Sequence, residues 1–133
     1  SKDYPGPLAG ILSGLRQCST KYMAVLPCDS PAISIHYVEK LYQALEKNQA
    51  EIAYLVTRDQ DGEIFKEPLF ALFKNKSPKS LEISLEQHLK EGQSKVLSWY
   101  KKHHVVELEY VHKDELRNIN DPSELKNYLA TLL

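Results

Sequence analysis

Hydrophobic positions along this chain alternate between two periods, and the alternation maps its elements. From Gly6 to Gln17, Leu8, Ile11, Leu12 and Leu15 recur at spacings of three and four, which predicts a short helix with one apolar face. Pro7 suits the first helical position, where its missing N–H would be unpaired anyway. Tyr22 to Pro27 is a nearly continuous apolar run, the pattern of a strand covered on both faces in a parallel sheet. Ser34 to Asn48 predicts an amphipathic helix, with Ser34 as N-cap and Val38, Leu41, Tyr42 and Leu45 as its buried stripe. Ala50 to Thr57 and Ile64 to Phe73 read as strands joined through the Asp61-Gly62 turn, a strong hairpin signal. Pro68 inside the second of these predicts an edge or an irregular stretch.

Ser80 to Glu91 and Ser94 to Lys102 predict two helices broken at Gly92, and Val105 to Tyr110 a strand. A last helix is signalled by Asp121-Pro122-Ser123-Glu124, which combines an N-cap acceptor, a first-turn proline and a glutamate able to bond back to the cap. Leu125, Tyr128, Leu129 and Leu132 form its apolar face. Strands alternating with helices predict an α/β sandwich with a mostly parallel sheet and one antiparallel extension.

Composition narrows the function classes. A length of 133 residues suits one domain with a modest core. The formal net charge of -1 argues against a nucleic-acid surface and against attraction to an anionic membrane. No apolar run approaches the roughly 20 residues needed to cross a bilayer. Cys18 and Cys28 match no zinc spacing, so free thiols in a reducing compartment, the cytoplasm, are expected.

Candidate chemistry follows from the predicted sheet, because open α/β sheets bind ligands at the carboxyl ends of their strands. Asp29 directly follows the Tyr22 to Pro27 strand. It can hold a phosphate-bound Mg²⁺, or it can cap the turn that Asp-Ser-Pro favours. Gly6 and Gly10 stand at a helix entry, where bare backbone and free N–H groups accept a phosphate, though glycines there also serve turns. Asn118 and Asn120 alternate, so an extended segment would present both amides on one side to a pterin or base edge. Turn chemistry ahead of the terminal helix is the other reading. His103-His104 reads as a solvated helix end, and Trp99 and Tyr100 as core and rim. Spacing suggests no Ser–His–Asp or Cys–His relay.

Four segments in order carry a resemblance. Asp3-Tyr4-Pro5-Gly6-Pro7-Leu8-Ala9-Gly10, Leu26-Pro27-Cys28-Asp29-Ser30-Pro31, Pro68-Leu69-Phe70-Ala71-Leu72 and Asn118-Ile119-Asn120-Asp121-Pro122-Ser123-Glu124-Leu125 together resemble the molybdenum cofactor guanylyltransferases. The resemblance implies a three-layer, Rossmann-like nucleotidyltransferase fold of the nucleotide-diphospho-sugar transferase type. It implies transfer of GMP from GTP to the phosphate of molybdopterin, with Mg²⁺ and release of pyrophosphate. It assigns Asp29 to the metal and catalysis, Gly6 and Gly10 to the nucleotide, and Asn118 and Asn120 to the pterin side. Asp121 stands where that family usually has Thr, and both residues cap helices.

The family's N-terminal Gly-rich signature with its lysine has no counterpart here, and a second family aspartate is expected ahead of Ser1. The expectation is therefore residues 1–133 as the C-terminal part of a single domain lacking its first β-α unit, inactive alone and open to self-association through an exposed sheet edge. A cytidylyltransferase or other nucleotidyltransferase, and a non-catalytic cofactor-binding module, are the alternatives.

Overall fold

The structure, a computed structural model, describes residues 6–25, 35–75 and 80–110. In chain order these are α1 (Pro7–Gln17), β1 (Tyr22–Val25), α2 (Ile35–Lys47), β2 (Ile52–Arg58), β3 (Ile64–Lys74), α3 (Leu81–Lys90), α4 (Val96–Tyr100) and β4 (Val105–Tyr110). The four strands form one sheet in the order β1-β3-β2-β4. β3 runs against both neighbours and β2 runs with β4, so β1, β2 and β4 share one direction and β3 alone opposes them.

Two apolar clusters sandwich the sheet. Leu8, Ile11, Leu12 and Leu15 of α1, Leu81, Leu85 and Leu89 of α3, and Trp99 and Tyr100 of α4 pack on Ile52, Tyr54, Val56 and Phe73. Tyr37, Val38, Leu41 and Leu45 of α2 pack on Ala53, Leu55 and Leu72 from the other side. Period-two alternation along β2 sends even-numbered residues to one cluster and Ala53 and Leu55 to the other. The result is the expected three-layer α/β sandwich.

Two-sided burial falls on a different strand from the one the pattern named. Six of the seven β2 residues are buried, with Arg58 the exception. In the four described residues of β1 only Tyr22 is, and among the described residues β1 pairs with β3 alone, antiparallel.

Pro68 sits in an interior strand, so of the two expectations for it the irregular stretch is the one observed. Tyr54 faces Ala71, yet the next residue, Leu55, faces Glu67. Pro68, Leu69 and Phe70 therefore bulge out of the ladder, where a residue without an N–H costs no ladder hydrogen bond. The bulge is tied down elsewhere: the Tyr100 hydroxyl donates to the Pro68 carbonyl over 2.6 Å, and the Phe70 ring meets Tyr37 edge-on at 5.5 Å. Tyr100 is thus core, 1% exposed, and not rim.

Ser80 caps α3 by accepting from the Ile83 N–H over 3.2 Å. After α3 the chain turns at Gly92, whose φ of 84° suits glycine. α4 is shorter than its sequence pattern suggested, five residues from Val96 to Tyr100. The hairpin between β2 and β3 turns through Asp59–Glu63, with the Asp59 carboxylate accepting from the N–H groups of Asp61 and Glu63 at 2.9 Å each. No helix among the described residues is long and apolar enough to cross a membrane.

Candidate functional site

Strand direction brings the carboxyl ends of three strands to one end of the sheet. β1, β2 and β4 share a direction, so their carboxyl ends lie together. α1 leads into β1 and α2 leads into β2 through short connections, so each helix starts at that same end. The chain leaves Val25 of β1 there toward Asp29, and leaves β4 there toward Asn118 and Asn120. Asp29, Asn118 and Asn120 themselves lie outside the described residues.

Gly6 and Gly10 are described. Gly6 is the N-cap of α1, with φ 84° and ψ -176°, a backbone conformation essentially confined to glycine. No side chain caps this helix start and no acidic residue occupies its first turn. The opening N–H groups, with the partial positive charge of an 11-residue helix behind them, suit a negatively charged ligand. Gly10, exposed in the second turn, would place an added Cβ within 4 Å of nothing. Gly14, which the sequence reading passed over, does pack closely: a Cβ there would come within 2.9 Å of Met23 Sδ. It sets how near α1 lies to β1.

Basic groups toward the carboxyl end of the sheet are engaged. Arg58 forms a two-point ion pair with Glu109, at 3.1 and 3.2 Å, and donates to the Gly62 carbonyl at 2.9 Å. The guanidinium holds the Glu109 carboxyl below its ordinary range. Lys66 reaches Glu107 at 3.3 Å. The Tyr54 hydroxyl donates to the same Glu107 carboxylate and, first among the causes, lowers its pKa. Burial in turn pushes the Tyr54 phenol up. Such pairs brace β2, β3 and β4 against one another.

No three His, Cys, Asp or Glu side chains converge among the described residues. A Mg²⁺ site of one or two carboxylates completed by phosphate oxygens and water needs no such cluster.

One polar constellation escaped the sequence reading. His103 was expected at a solvated helix end, but its side chain is 4% exposed. Its Nδ1 lies 3.1 Å from Glu51 Oε1 and its Nε2 lies 2.6 Å from Ser84 Oγ. Trp99 Nε1–H donates to that same Oγ over 3.0 Å. An indole nitrogen can only donate, and Nδ1 beside a carboxylate must carry a proton. The Ser84 oxygen thus accepts from Trp99 and shares a hydrogen bond with Nε2, so one hydroxyl serves both rings. The order of atoms is that of a serine nucleophile relay. Here, however, Ser84 sits inside α3, the histidine is enclosed, and the network lies at the amino ends of β2 and β4, opposite the candidate site. It ties α3 and α4 to the sheet. No spacing rule could have found it, because its members are up to 52 residues apart in sequence.

The family model described as MobA-like NTP transferase domain matches residues 1–106. The chain belongs to the MobA-like NTP transferase family. Molybdenum cofactor guanylyltransferase of Cupriavidus metallidurans is 41% identical over 123 residues, 92% of this chain and 59% of that protein. Its namesake from Cupriavidus taiwanensis is 39% identical over 128 residues, 96% of this chain and 62% of that one. The MobA-like chain thus spans about 60% of the length of these relatives. The crystal structure of molybdopterin-guanine dinucleotide biosynthesis protein A from Archaeoglobus fulgidus superposes with a TM-score of 0.62 at 24% identity, covering 99% of this chain and 66% of that one. A 2-C-methyl-D-erythritol 4-phosphate cytidylyltransferase from Francisella tularensis gives 0.62 at 13% identity, covering 95% and 67%. These two likenesses establish the nucleotidyltransferase fold.

Proposed function

We propose that the whole protein transfers GMP from GTP to the terminal phosphate of molybdopterin and releases pyrophosphate. The observation that carries this is an identity of about 40% to molybdenum cofactor guanylyltransferases over more than nine-tenths of the chain. The uncapped, acid-free start of α1 at the carboxyl end of the sheet supports it, since that is where this fold receives nucleotide phosphates.

In this reading the backbone N–H groups following Gly6 hold phosphate oxygens, and Gly10 leaves room for the nucleotide beside the helix. Asp29 holds Mg²⁺, which when bound supplies positive charge to the α-phosphate and the departing pyrophosphate. Asn118 and Asn120 orient the pterin by donating and accepting at its edge. The attacking group is already an anionic phosphate oxygen, so displacement at the α-phosphorus needs no covalent protein intermediate and no general base. The protein's share is positioning and charge. The compartment proposed is the cytoplasm.

The test is pyrophosphate release by the protein from its complete reading frame, with Mg²⁺ and molybdopterin, comparing GTP, CTP and ATP. Release with GTP alone is expected. Release with CTP alone would make it a cytidylyltransferase on the same fold, and release with none would leave a binding module. Asp29→Ala should lower turnover by about 10²-fold or more, the scale for losing one electrostatic group.

A further inference from the structure

Arg58 and Lys66 stand on the same face of the sheet, but they are held differently. Arg58 makes two bonds to Glu109 and a third to the Gly62 carbonyl. The Lys66 ammonium, with three N–H donors, meets one partner among the described residues, the Glu107 carboxylate at 3.3 Å. The Lys66 side chain is 50% exposed, and a single-point pair at such exposure contributes little to stability. Glu107 does not depend on it, because the Tyr54 hydroxyl donates to the same carboxylate oxygen. Lys66 can therefore leave Glu107 without stranding that carboxylate. Its side chain crosses above β2 to reach β4, and its flexible four-carbon stem lets the ammonium turn back.

Placement gives the released ammonium something to meet. Lys66 faces Val56, and Val56 belongs to the cluster built with α1, so Lys66 and α1 share one face of the sheet. They also share a level along the strands. Ala71 faces both Val25 and Tyr54, and Lys66, opposite Val56, stands about 7 Å further toward the carboxyl end. Gly14 packs beside Met23, and from there α1 extends about 10 Å back to Pro7. Met23 to Val25 matches about 7 Å of that, so the helix start also clears Val25. In the order β1-β3-β2-β4, Lys66 of β3 lies on the way from β1, where α1 packs, to the carboxyl end of β4. We propose that Lys66 binds the phosphate of molybdopterin, exchanging the Glu107 carboxylate for it, while the start of α1 holds the nucleotide. This rests on the guanylyl transfer proposed above. That reaction brings an anionic oxygen up to an anionic phosphate, and a cation beside the attacking group offsets the repulsion. Lysine suits the task as a mobile point charge.

The test is molybdopterin binding to the protein from its complete reading frame, by calorimetry without nucleotide. Lys66→Met should weaken it about 10- to 100-fold, the scale of one charge-assisted hydrogen bond. The same change should leave the affinities for GTP and for dephosphorylated molybdopterin as they are. Glu107→Gln should tighten molybdopterin binding, because the lysine loses its competing carboxylate. A weaker GTP complex with unchanged molybdopterin affinity in Lys66→Met would assign the lysine to the nucleotide and overturn the proposal. Equal losses for molybdopterin with and without its phosphate also overturn it, as does unchanged or weaker binding by Glu107→Gln. These titrations need no turnover. Absence of pyrophosphate release therefore defeats the transfer reaction alone, and the lysine contact stands or falls on the affinities.

Discussion

Ser84→Ala removes one oxygen atom from the interior, and the geometry says what that oxygen serves. Trp99 Nε1–H loses its acceptor at 3.0 Å and His103 Nε2 loses its partner at 2.6 Å. Trp99 is fully buried and the His103 side chain is 4% exposed, so water does not replace the hydroxyl at either. Each buried polar group left unsatisfied costs about 1–3 kcal/mol. Alanine recovers about 0.5 kcal/mol of helix propensity inside α3. The expected net loss is about 1.5–5.5 kcal/mol, a large part of the total stability of an ordinary domain. Urea unfolding followed by fluorescence of the single tryptophan reads it directly, since Trp99 is itself a member of the network. Ser94→Ala, in the exposed turn before α4, serves as the control and should stay within about 0.5 kcal/mol. His103→Ala should cost a similar amount, and the double variant less than the sum, because both break the same chain of bonds. A loss below about 1 kcal/mol for Ser84→Ala, or strict additivity with His103→Ala, would refute the shared-hydroxyl account.

Gly10→Ala should stabilise the fold by about 0.5–1 kcal/mol, as the added methyl meets nothing within 4 Å and glycine is a poor helix former. The same change should weaken GTP binding if the nucleotide lies against that surface, and calorimetry beside thermal unfolding separates the two effects. Gly6→Ala should cost about 1–3 kcal/mol through its backbone conformation alone, checked by the same unfolding assay. His88 is 1% exposed with neither ring nitrogen hydrogen-bonded, and burial, then Lys102, depress its pKa. The unfolded chain takes up this proton near about pH 6.5 and the folded chain only at lower pH. His88 therefore leaves stability intact above about pH 6.5 and reduces it as pH falls toward the depressed value. His88→Leu should remove that part of the acid sensitivity in unfolding curves measured from pH 7 to 5, and identical pH slopes would count against it. Phe73→Ala, fully buried between Trp99 and Tyr100, should cost about 3–5 kcal/mol by the same unfolding measurement.

Periodicity along the chain determined the elements. The apolar stripes of α1 and α2 and the Asp61-Gly62 hairpin depend on contacts within a few residues, and each is found where the sequence places it. Strand order and depth of burial depend on neighbours far along the chain. The apolar run at Tyr22 and the one at Ile52 look alike in sequence, yet β2 takes the centre because β3 and β4 flank it, while β1 meets β3 alone among the described residues. Pro68 announced an irregularity, but only the pairing of β3 with β2 turned it into a three-residue bulge. His103 shows the same limit more sharply. A histidine after two lysines reads as solvated, and becomes interior because Ser84 of α3, Trp99 of α4 and Glu51 ahead of β2 close around it. Local hydrogen bonds and hydrophobic spacing are written into neighbouring residues. Which polar side chain is enclosed, and by what, is settled only when distant segments pack.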